Sequence, residues 1–188
     1  MKTPILETPR LILRPVQMSD AKSVQKHFAN WEIIQFIGMN APWPYPADGA
    51  ETYIRENLLP PMEKGEKFAW VITEQNSNDE ALGIIEFRKE AGTDGNRGFW
   101  LAIEHHGKGY MTEAIDSVND FLFNKAGIER YEVCNAKGNI GSRRVKEKTG
   151  AVFLRYGNVP HHNGVAVSEH WEVTKESWLA ARAKFIRG

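Results

Sequence analysis

The chain has 188 residues, 24 basic and 24 acidic side chains, and a hydrophobic content of 41%. A chain of this length can bury a core without metals or disulfides, so we expect one domain spanning residues 1–188. The even charge balance gives no general attraction to nucleic acid or to an acidic membrane surface, and we expect neither as a partner. No apolar stretch reaches the roughly 18 residues that a membrane helix needs.

The cysteine content and the N-terminal segment both favour a cytoplasmic protein. The single cysteine, Cys134, excludes an intramolecular disulfide and a cysteine-rich zinc site, as is usual in a reducing cytosol. We expect its small side chain to be buried. In the N-terminal segment, Glu7, Pro9 and Arg10 interrupt the apolar run that a signal peptide would need.

The first quarter of the chain predicts a strand, a helix and an irregular aromatic loop. Apolar residues at 10–15 end in a proline, which predicts a strand that stops there. Ser19-Asp20 can cap the amides of a helix predicted over 20–29. The segment 37–50 combines three prolines with two glycines, a composition typical of a loop.

The remaining elements alternate between helical and extended patterns. They are a helix at 48–63, strands at 68–73 and 81–88 joined by a polar turn at 74–80, a strand at 98–103, a helix at 110–126, a strand at 130–135, a helix at 141–148 ended by Gly150, strands at 152–155 and 169–174, and a helix at 175–186. This order predicts a mixed α/β domain.

The most informative segment is a strand that runs through Gly107 and Gly109 into a helix. Such a turn can surround an anion with backbone N–H groups while the positive end of the helix dipole points at it. Glycine permits the positive φ and the close approach that this needs. Two spaced glycines would also suit a plain strand-to-helix turn. Lys108 lies between them, so the pattern is not a P-loop.

Two longer blocks resemble those of GNAT N-acetyltransferases. The block 107–114 (GKGYMTEA) resembles their acetyl-CoA pyrophosphate motif, and the block 139–151 (NIGSRRVKEKTGA) resembles their second conserved block. The segments 8–15 and 171–178 resemble the opening and closing strands of the RimJ/RimL-like group, which acetylates protein N-terminal amines. The resemblance implies the GNAT fold, a central and mostly antiparallel sheet of about seven strands, splayed at the acetyl-CoA site and flanked by helices.

The resemblance also implies acetyl-CoA as cosubstrate and a set of residues that hold it. These residues are Leu101, Ala102, Ile103, His106, Gly107, Lys108, Gly109, Tyr110, Met111, Thr112, Asn139 and Ser142. The main chain of 101–103 would pair with the pantetheine arm as if it were an added strand, and Ser142 would lie near the sulfur. We expect no metal, because the adjacent histidines at 105 and 106 point apart and lack a third ligand.

Acetyl transfer to an amine requires a neutral amine, a stabilised oxyanion and a protonated leaving thiolate. Many GNAT enzymes place a tyrosine acid four residues past the position of Ser142, where this chain has Lys146. The resemblance to the RimJ/RimL-like group favours Ser142 as the acid, although a capping role would also explain it. Glu104 and Glu86 are the candidate bases for the amine, since both strands should border the cofactor channel; either could instead be a surface ion-pair partner.

The acceptor site is expected to use Trp43 and Tyr45 of the aromatic loop and the hairpin loop at 158–163. The two aromatic side chains could equally serve only to anchor their loop. The predicted acceptor is a protein N-terminal α-amine, such as that of a ribosomal protein, which reacts directly within a ternary complex.

Two alternatives and one question remain open at this point. A small amine such as an aminoglycoside or polyamine could be the acceptor, and Glu32, Asp48, Glu51 and Glu56 could then supply carboxylates. A catalytically silent acyl-CoA-binding regulatory domain is the alternative of another class. The protein could be a monomer or a homodimer, because its last strands could pair with a partner.

Overall fold

The computed structural model describes residues 1–76, 79–92 and 94–186. Residues 77 and 78 of the predicted polar turn lie outside the described residues. The strands are β1 (Leu6–Glu7), β2 (Leu11–Pro15), β3 (Lys67–Glu74), β4 (Gly83–Gly92), β5 (Gly95–Leu101), β6 (Arg130–Ala136), β7 (Val152–Asn158) and β8 (Val167–Thr174). The helices are α1 (Ala21–Phe28), α2 (Trp31–Ile34), α3 (Gly49–Tyr53), α4 (Leu59–Glu63), α5 (Tyr110–Asn124), α6 (Ile140–Lys148) and α7 (Lys175–Ile186).

The strands form one antiparallel sheet in the order β1-β2-β3-β4-β5-β6-β8-β7. The expected mixed α/β fold with a largely antiparallel sheet is confirmed. Sequence analysis missed β1 and α2, which have only two and four residues and are too short to show a periodic pattern. Among the described residues, no helix combines the length and apolarity needed to cross a bilayer.

The sheet splays between β5 and β6. In the described part of the chain these strands share a single paired position, Gly95 with Val133. The φ of Gly95 is +84°, and a Cβ there would lie 2.5 Å from the Glu132 carbonyl oxygen, so the two backbones approach closely at this point. Beyond it the strands diverge, and a gap opens between β1–β5 on one side and β6–β8 on the other.

Helices cover both faces of the sheet. On one face, Trp70 and Ile85 belong to a core with α5 and with Trp178 of α7. On the other face, Val71 and Ile84 belong to a second core with α1 to α4. Apolar residues recur along α5 at helical spacing, so they lie on one side of the helix. These residues, Met111, Ile115, Val118 and Leu122, are all buried.

The helix predicted at 48–63 is present but changes its winding. A π turn over Ile54–Leu58 separates α3 from α4, and Pro60 lies in the first turn of α4. A proline has no N–H to donate and crowds the carbonyl four residues earlier, so a wider turn accommodates it.

The predicted strand at 98–103 is wrong at both ends, because β5 spans Gly95–Leu101. The Ala102 N–H still donates to the Leu82 carbonyl at 2.7 Å. The chain then turns into a short 3-10 helix over Ile103–His105. Glu104 therefore belongs to this turn, and strand alternation does not place it beside Trp100.

Candidate active site

A cleft of about 1390 Å³ occupies the gap between β5 and β6. Most of the residues that the sequence assigned to a cofactor line it, namely Leu101, Ile103, His106, Gly107, Gly109, Tyr110, Met111, Thr112, Asn139 and Ser142. Ala102 and Lys108 lie outside the lining residues. The structure thus brings the two resembling sequence blocks to one cavity.

The edge of β5 offers main-chain groups to the cleft. Because the Ala102 N–H bonds to Leu82, the residue before β4, the alternation of the antiparallel ladder turns the main-chain groups of Phe99 and Leu101 away from β4, towards the gap. The Leu101 carbonyl accepts from the His106 ring at 2.9 Å. The Ala102 main chain is already engaged, since its carbonyl accepts from the His105 N–H. Phe99, which sequence analysis did not nominate, takes the place of Ala102 as an edge group.

The glycine turn has the backbone that an anion site requires. The φ values of Gly107 and Gly109 are +75° and +80°, and Gly109 precedes the first turn of α5. The first four N–H groups of a helix have no acceptor within it, and the positive end of the helix dipole lies there as well. Apart from its two chain neighbours, no described residue has an atom within 4 Å of a Cβ built at Gly107. These features fit a pyrophosphate group.

A brace from the segment between β1 and β2 holds this turn in place. Arg10 donates to the Lys108 carbonyl at 2.9 Å and to the Glu113 carboxylate at 2.6 Å, and the Thr8 hydroxyl also donates to Glu113 at 2.6 Å. Burial alone would raise the pKa of Glu113, but the hydrogen bonds from Thr8 and Arg10 lower it. Sequence analysis missed the brace because its members are about 100 residues apart.

The start of α6 is fixed by Asn139, whose side chain accepts from the Ser142 N–H at 3.0 Å. This cap directs the first turn of α6 at the cleft. At the other end, Gly150 has a φ of +87°, and the Ala151 N–H donates to the Lys146 carbonyl at 2.9 Å. Gly150 therefore ends the helix as predicted.

Lys146 lies one turn after Ser142, on the same side of α6. Its Nζ donates to Ser142 Oγ at 2.7 Å, and its side chain is only 1% exposed. Burial, followed by repulsion from Arg97, lowers the pKa of Lys146 to about 7. At this position the sequence shows only a departure from the family pattern. The burial of Lys146 and its hydrogen bond to Ser142 are evident only in the structure.

The two candidate bases have different environments. Glu86 lines the cleft, where its carboxylate accepts from the Tyr53 hydroxyl and from Lys67 Nζ, both at 2.9 Å. Burial and the Glu86 carboxylate raise the pKa of Tyr53 well above its usual value, so Tyr53 remains a donor. The Glu104 side chain is 57% exposed, its carboxylate lies 3.1 Å from His27 Nδ1, and the residue lies outside the cleft lining.

The two predicted acceptor loops meet above the cleft. The His162 ring contacts the Ala41 carbonyl at 2.5 Å, and the Asn163 N–H donates to the Gln35 carbonyl at 3.1 Å. Tyr45 lines the cleft and packs edge-on against Phe28.

Trp43 and Cys134 lie in environments that differ from those expected from the sequence. Trp43 lies outside the cleft lining and packs against Trp31, with 5.2 Å between the two ring centroids. Cys134 is only partly buried and lines the cleft, contrary to expectation. Burial raises the pKa of its thiol to about 11. In the described residues, no three His, Cys, Asp or Glu side chains are grouped as metal ligands.

Comparison with known proteins defines the class. Residues 10–152 match the acetyltransferase (GNAT) domain family, so this chain belongs to that family and is an acetyltransferase. The protein named "Probable N-acetyltransferase YjcK" from Bacillus subtilis (strain 168) is 29% identical over 151 residues, which cover 78% of this chain and 82% of YjcK.

Two solved structures share the fold across nearly their whole length. Mycobacterium smegmatis RimJ, in complex with CoA-disulfide, matches with a TM-score of 0.79 and 21% identity, over 98% of this chain and 93% of RimJ. The ribosomal-protein-S5-alanine acetyltransferase from Vibrio fischeri matches with a TM-score of 0.77 and 16% identity, over 93% of this chain and 98% of that chain.

Proposed function

We propose that this enzyme transfers the acetyl group of acetyl-CoA to the α-amine of a peptide or protein N-terminus, with both substrates bound together. The observation that carries the proposal is the single cleft, which joins the glycine turn to the two acceptor loops through the gap in the sheet. Its volume exceeds the 300–1,000 Å³ usual for one small ligand. The name of the similar Vibrio fischeri structure, a ribosomal-protein-S5-alanine acetyltransferase, supports a protein acceptor.

Each part of the cleft has a proposed role towards the two substrates. When bound, acetyl-CoA would supply a thioester whose acetyl carbon an amine can attack. The amides of Gly107, Gly109 and the first turn of α5 would hold its pyrophosphate. The main chain of Phe99 and Leu101 would pair with the pantetheine arm and offer an N–H to the oxyanion.

The charges around the cleft favour a peptide over a polycation. Of the four carboxylates that could have attracted a polyamine, Glu32 and Asp48 line the cleft, whereas Glu51 and Glu56 pair with Arg55 outside it. The lining also carries six basic side chains, Lys67, Arg88, Arg97, Arg144, Lys146 and Lys148, of which Lys67 and Arg88 pair with the lining carboxylates Glu86 and Asp94. The described lining is therefore not the carboxylate-rich surface that a polycationic acceptor would favour.

CoA thiol release with purified protein tests the acceptor class. The protein is incubated with acetyl-CoA and either peptides that begin with alanine or serine or a panel of aminoglycosides and polyamines. We expect turnover on the peptides, and mass spectrometry should place the acetyl group on their α-amines. Turnover on small amines alone would contradict the peptide proposal. Tight acetyl-CoA binding with no release from any amine would favour the silent regulatory alternative.

Glu86 is the proposed base, acting directly or through a water, because its carboxylate lies in the cleft. General bases typically contribute 10²–10⁴-fold, so Glu86→Gln should lower kcat by about 100-fold or more. Glu104→Gln provides the matched control, because its exposed carboxylate lies outside the cleft lining. We expect it to change kcat by no more than about twofold, as is usual for surface substitutions. Equal losses in the two variants would exclude this assignment.

The cytoplasmic location and the choice between monomer and homodimer remain predictions from the sequence. Size-exclusion chromatography with light scattering would decide the oligomeric state.

A further inference from the structure

Lys146 is a buried cation at the centre of the cleft wall, directly next to Ser142 Oγ. Lys146 is only 1% exposed, and the Phe99 ring, with its centroid 5.4 Å from Nζ, offers it a weak cation–π contact. An ammonium that is buried in this way loses its hydration and is destabilised unless nearby charges compensate. Its short hydrogen bond within the described part of the chain is the 2.7 Å bond to Ser142, which is neutral. The local environment therefore favours loss of a proton from Lys146.

Three titratable or charged side chains face Lys146 from the neighbouring strands. Arg97 of β5 is buried and repels the ammonium, whereas Glu169 of β8 and, once ionised, the Cys134 thiolate of β6 favour it. Burial and Arg97 outweigh the other two, which explains why the pKa of Lys146 falls to about 7. The Cys134 thiol stays neutral at that pH, because burial raises its pKa to about 11. Lys146 can thus release and regain a proton near neutral pH.

We propose that Ser142 and Lys146 form a proton relay to the leaving sulfur, in which Lys146 positions Ser142 and resupplies its proton. The inference rests on the proposed acetyl transfer and assigns to Lys146 a role that the sequence pattern did not provide. The short hydrogen bond between the two side chains supports it. When Lys146 is protonated it has no lone pair and can only donate to Ser142 Oγ, so the hydroxyl hydrogen is left free to point at a group in the cleft.

Acetyl transfer and proton transfer together conserve atoms and electrons. The amine nitrogen forms a bond to the acetyl carbon, and the carbon–sulfur bond breaks with its electron pair going to sulfur. The Ser142 hydroxyl gives its proton to that sulfur, and Lys146 Nζ gives a proton to Ser142 Oγ. Neutral Lys146 then regains a proton from solvent, while the proton lost by the amine goes to Glu86 or to water.

The first test measures Lys146 in the free protein, without any acceptor. Protein labelled with ¹³C-lysine is titrated by NMR, and the Lys146 signal is identified by its absence in Lys146→Met. We expect a midpoint near pH 7 in the wild type, and a midpoint lower by about half a unit or more in Ser142→Ala, because the charged form loses its acceptor. A midpoint near that of an ordinary lysine, or one that Ser142→Ala leaves unchanged, would overturn the pairing. This result does not depend on whether the proposed acceptor is correct.

The second test compares pH–rate profiles with an acceptor identified in the amine panel. If Lys146 supplies the proton, wild-type kcat should fall on the alkaline side, and this limb should be missing in Lys146→Met. Lys146→Arg should not restore the rate, because arginine keeps its proton. Ser142→Ala and Lys146→Met should each lose about 10- to 100-fold, and the double variant should lose little more than either.

Lys125→Met, at an exposed position after α5, is the control and should keep the wild-type profile. An alkaline limb that persists in Lys146→Met would overturn the relay, because a merely structural lysine would lower the rate without changing the shape of the profile. Additive losses in the double variant would also count against it. An acetyl group found on Ser142 by intact-protein mass spectrometry would also contradict the relay, because Ser142 would then act as a nucleophile.

Discussion

Gly107→Val should weaken CoA binding by about 100-fold, which corresponds to about 2.7 kcal/mol. Gly107 has a φ of +75°, a region that a β-branched residue adopts only with strain. The turn would relax to a negative φ, and its N–H groups would no longer converge on the pyrophosphate. Isothermal titration of the purified variant with CoA measures the effect.

Gly127→Val is the matched control for this variant. Gly127 has a φ of +72°, and a Cβ built there, like one at Gly107, has no atom of the described residues within 4 Å other than those of its chain neighbours. It lies outside the cleft lining. Both variants should therefore show a similar decrease in the free energy of unfolding, but only Gly107→Val should lose CoA affinity. If both bind CoA as the wild type does, the glycine turn is not the phosphate site.

Lys146→Met should make the protein more stable, and the gain should depend on pH. The pKa of Lys146 is about 7 in the folded protein and 10.5 ordinarily, so between these values the unfolded chain binds the extra proton. The contribution of Lys146 to the free energy of unfolding of the wild type therefore rises with pH between these two pKa values. Below pH 7 the folded protein buries the charged ammonium, and its destabilising effect is then complete. At pH 6 the free energy of unfolding of Lys146→Met should exceed that of the wild type by several kcal/mol.

The measurement is urea unfolding of wild type and variant from pH 6 to pH 9.5. The difference in unfolding free energy should shrink by roughly 1.4 kcal/mol per pH unit between pH 7.5 and 9.5. Taking the difference removes the titrations that both proteins share. Lys125→Met should show no such slope. A constant difference between wild type and Lys146→Met would show that Lys146 titrates normally in the folded state.

Much of the fold followed from the sequence. The hairpin of β3 and β4, the long helix α5 and the end of α6 at Gly150 depend on local periodicity and on glycine, and each is present near its predicted position. The end of β5 was misplaced, because the apolar run at 98–103 continues past the point where tertiary contacts turn the chain into a 3-10 helix.

Within the site, sequence could nominate residues but could not rank them. Glu86 and Glu104 had equal standing as candidate bases, and only the structure places Glu86 in the cleft and Glu104 at an exposed position beside His27. Trp43 and Tyr45 are two residues apart, yet only Tyr45 lines the cleft. In each case the decision depends on which face meets elements from distant parts of the chain.

The sequence by itself determined most of the order of the elements, the glycine turn before α5 and the end of α6 at Gly150, because backbone freedom and periodicity act over a few residues. Only the tertiary structure decided the gap between β5 and β6 and the state of Lys146. The pKa of that lysine depends on burial and on Arg97, Cys134 and Glu169, which three different strands bring to it. Proximity of this kind leaves no local pattern, which is why a residue seen in sequence only as a departure from the family became the basis of the proposed relay.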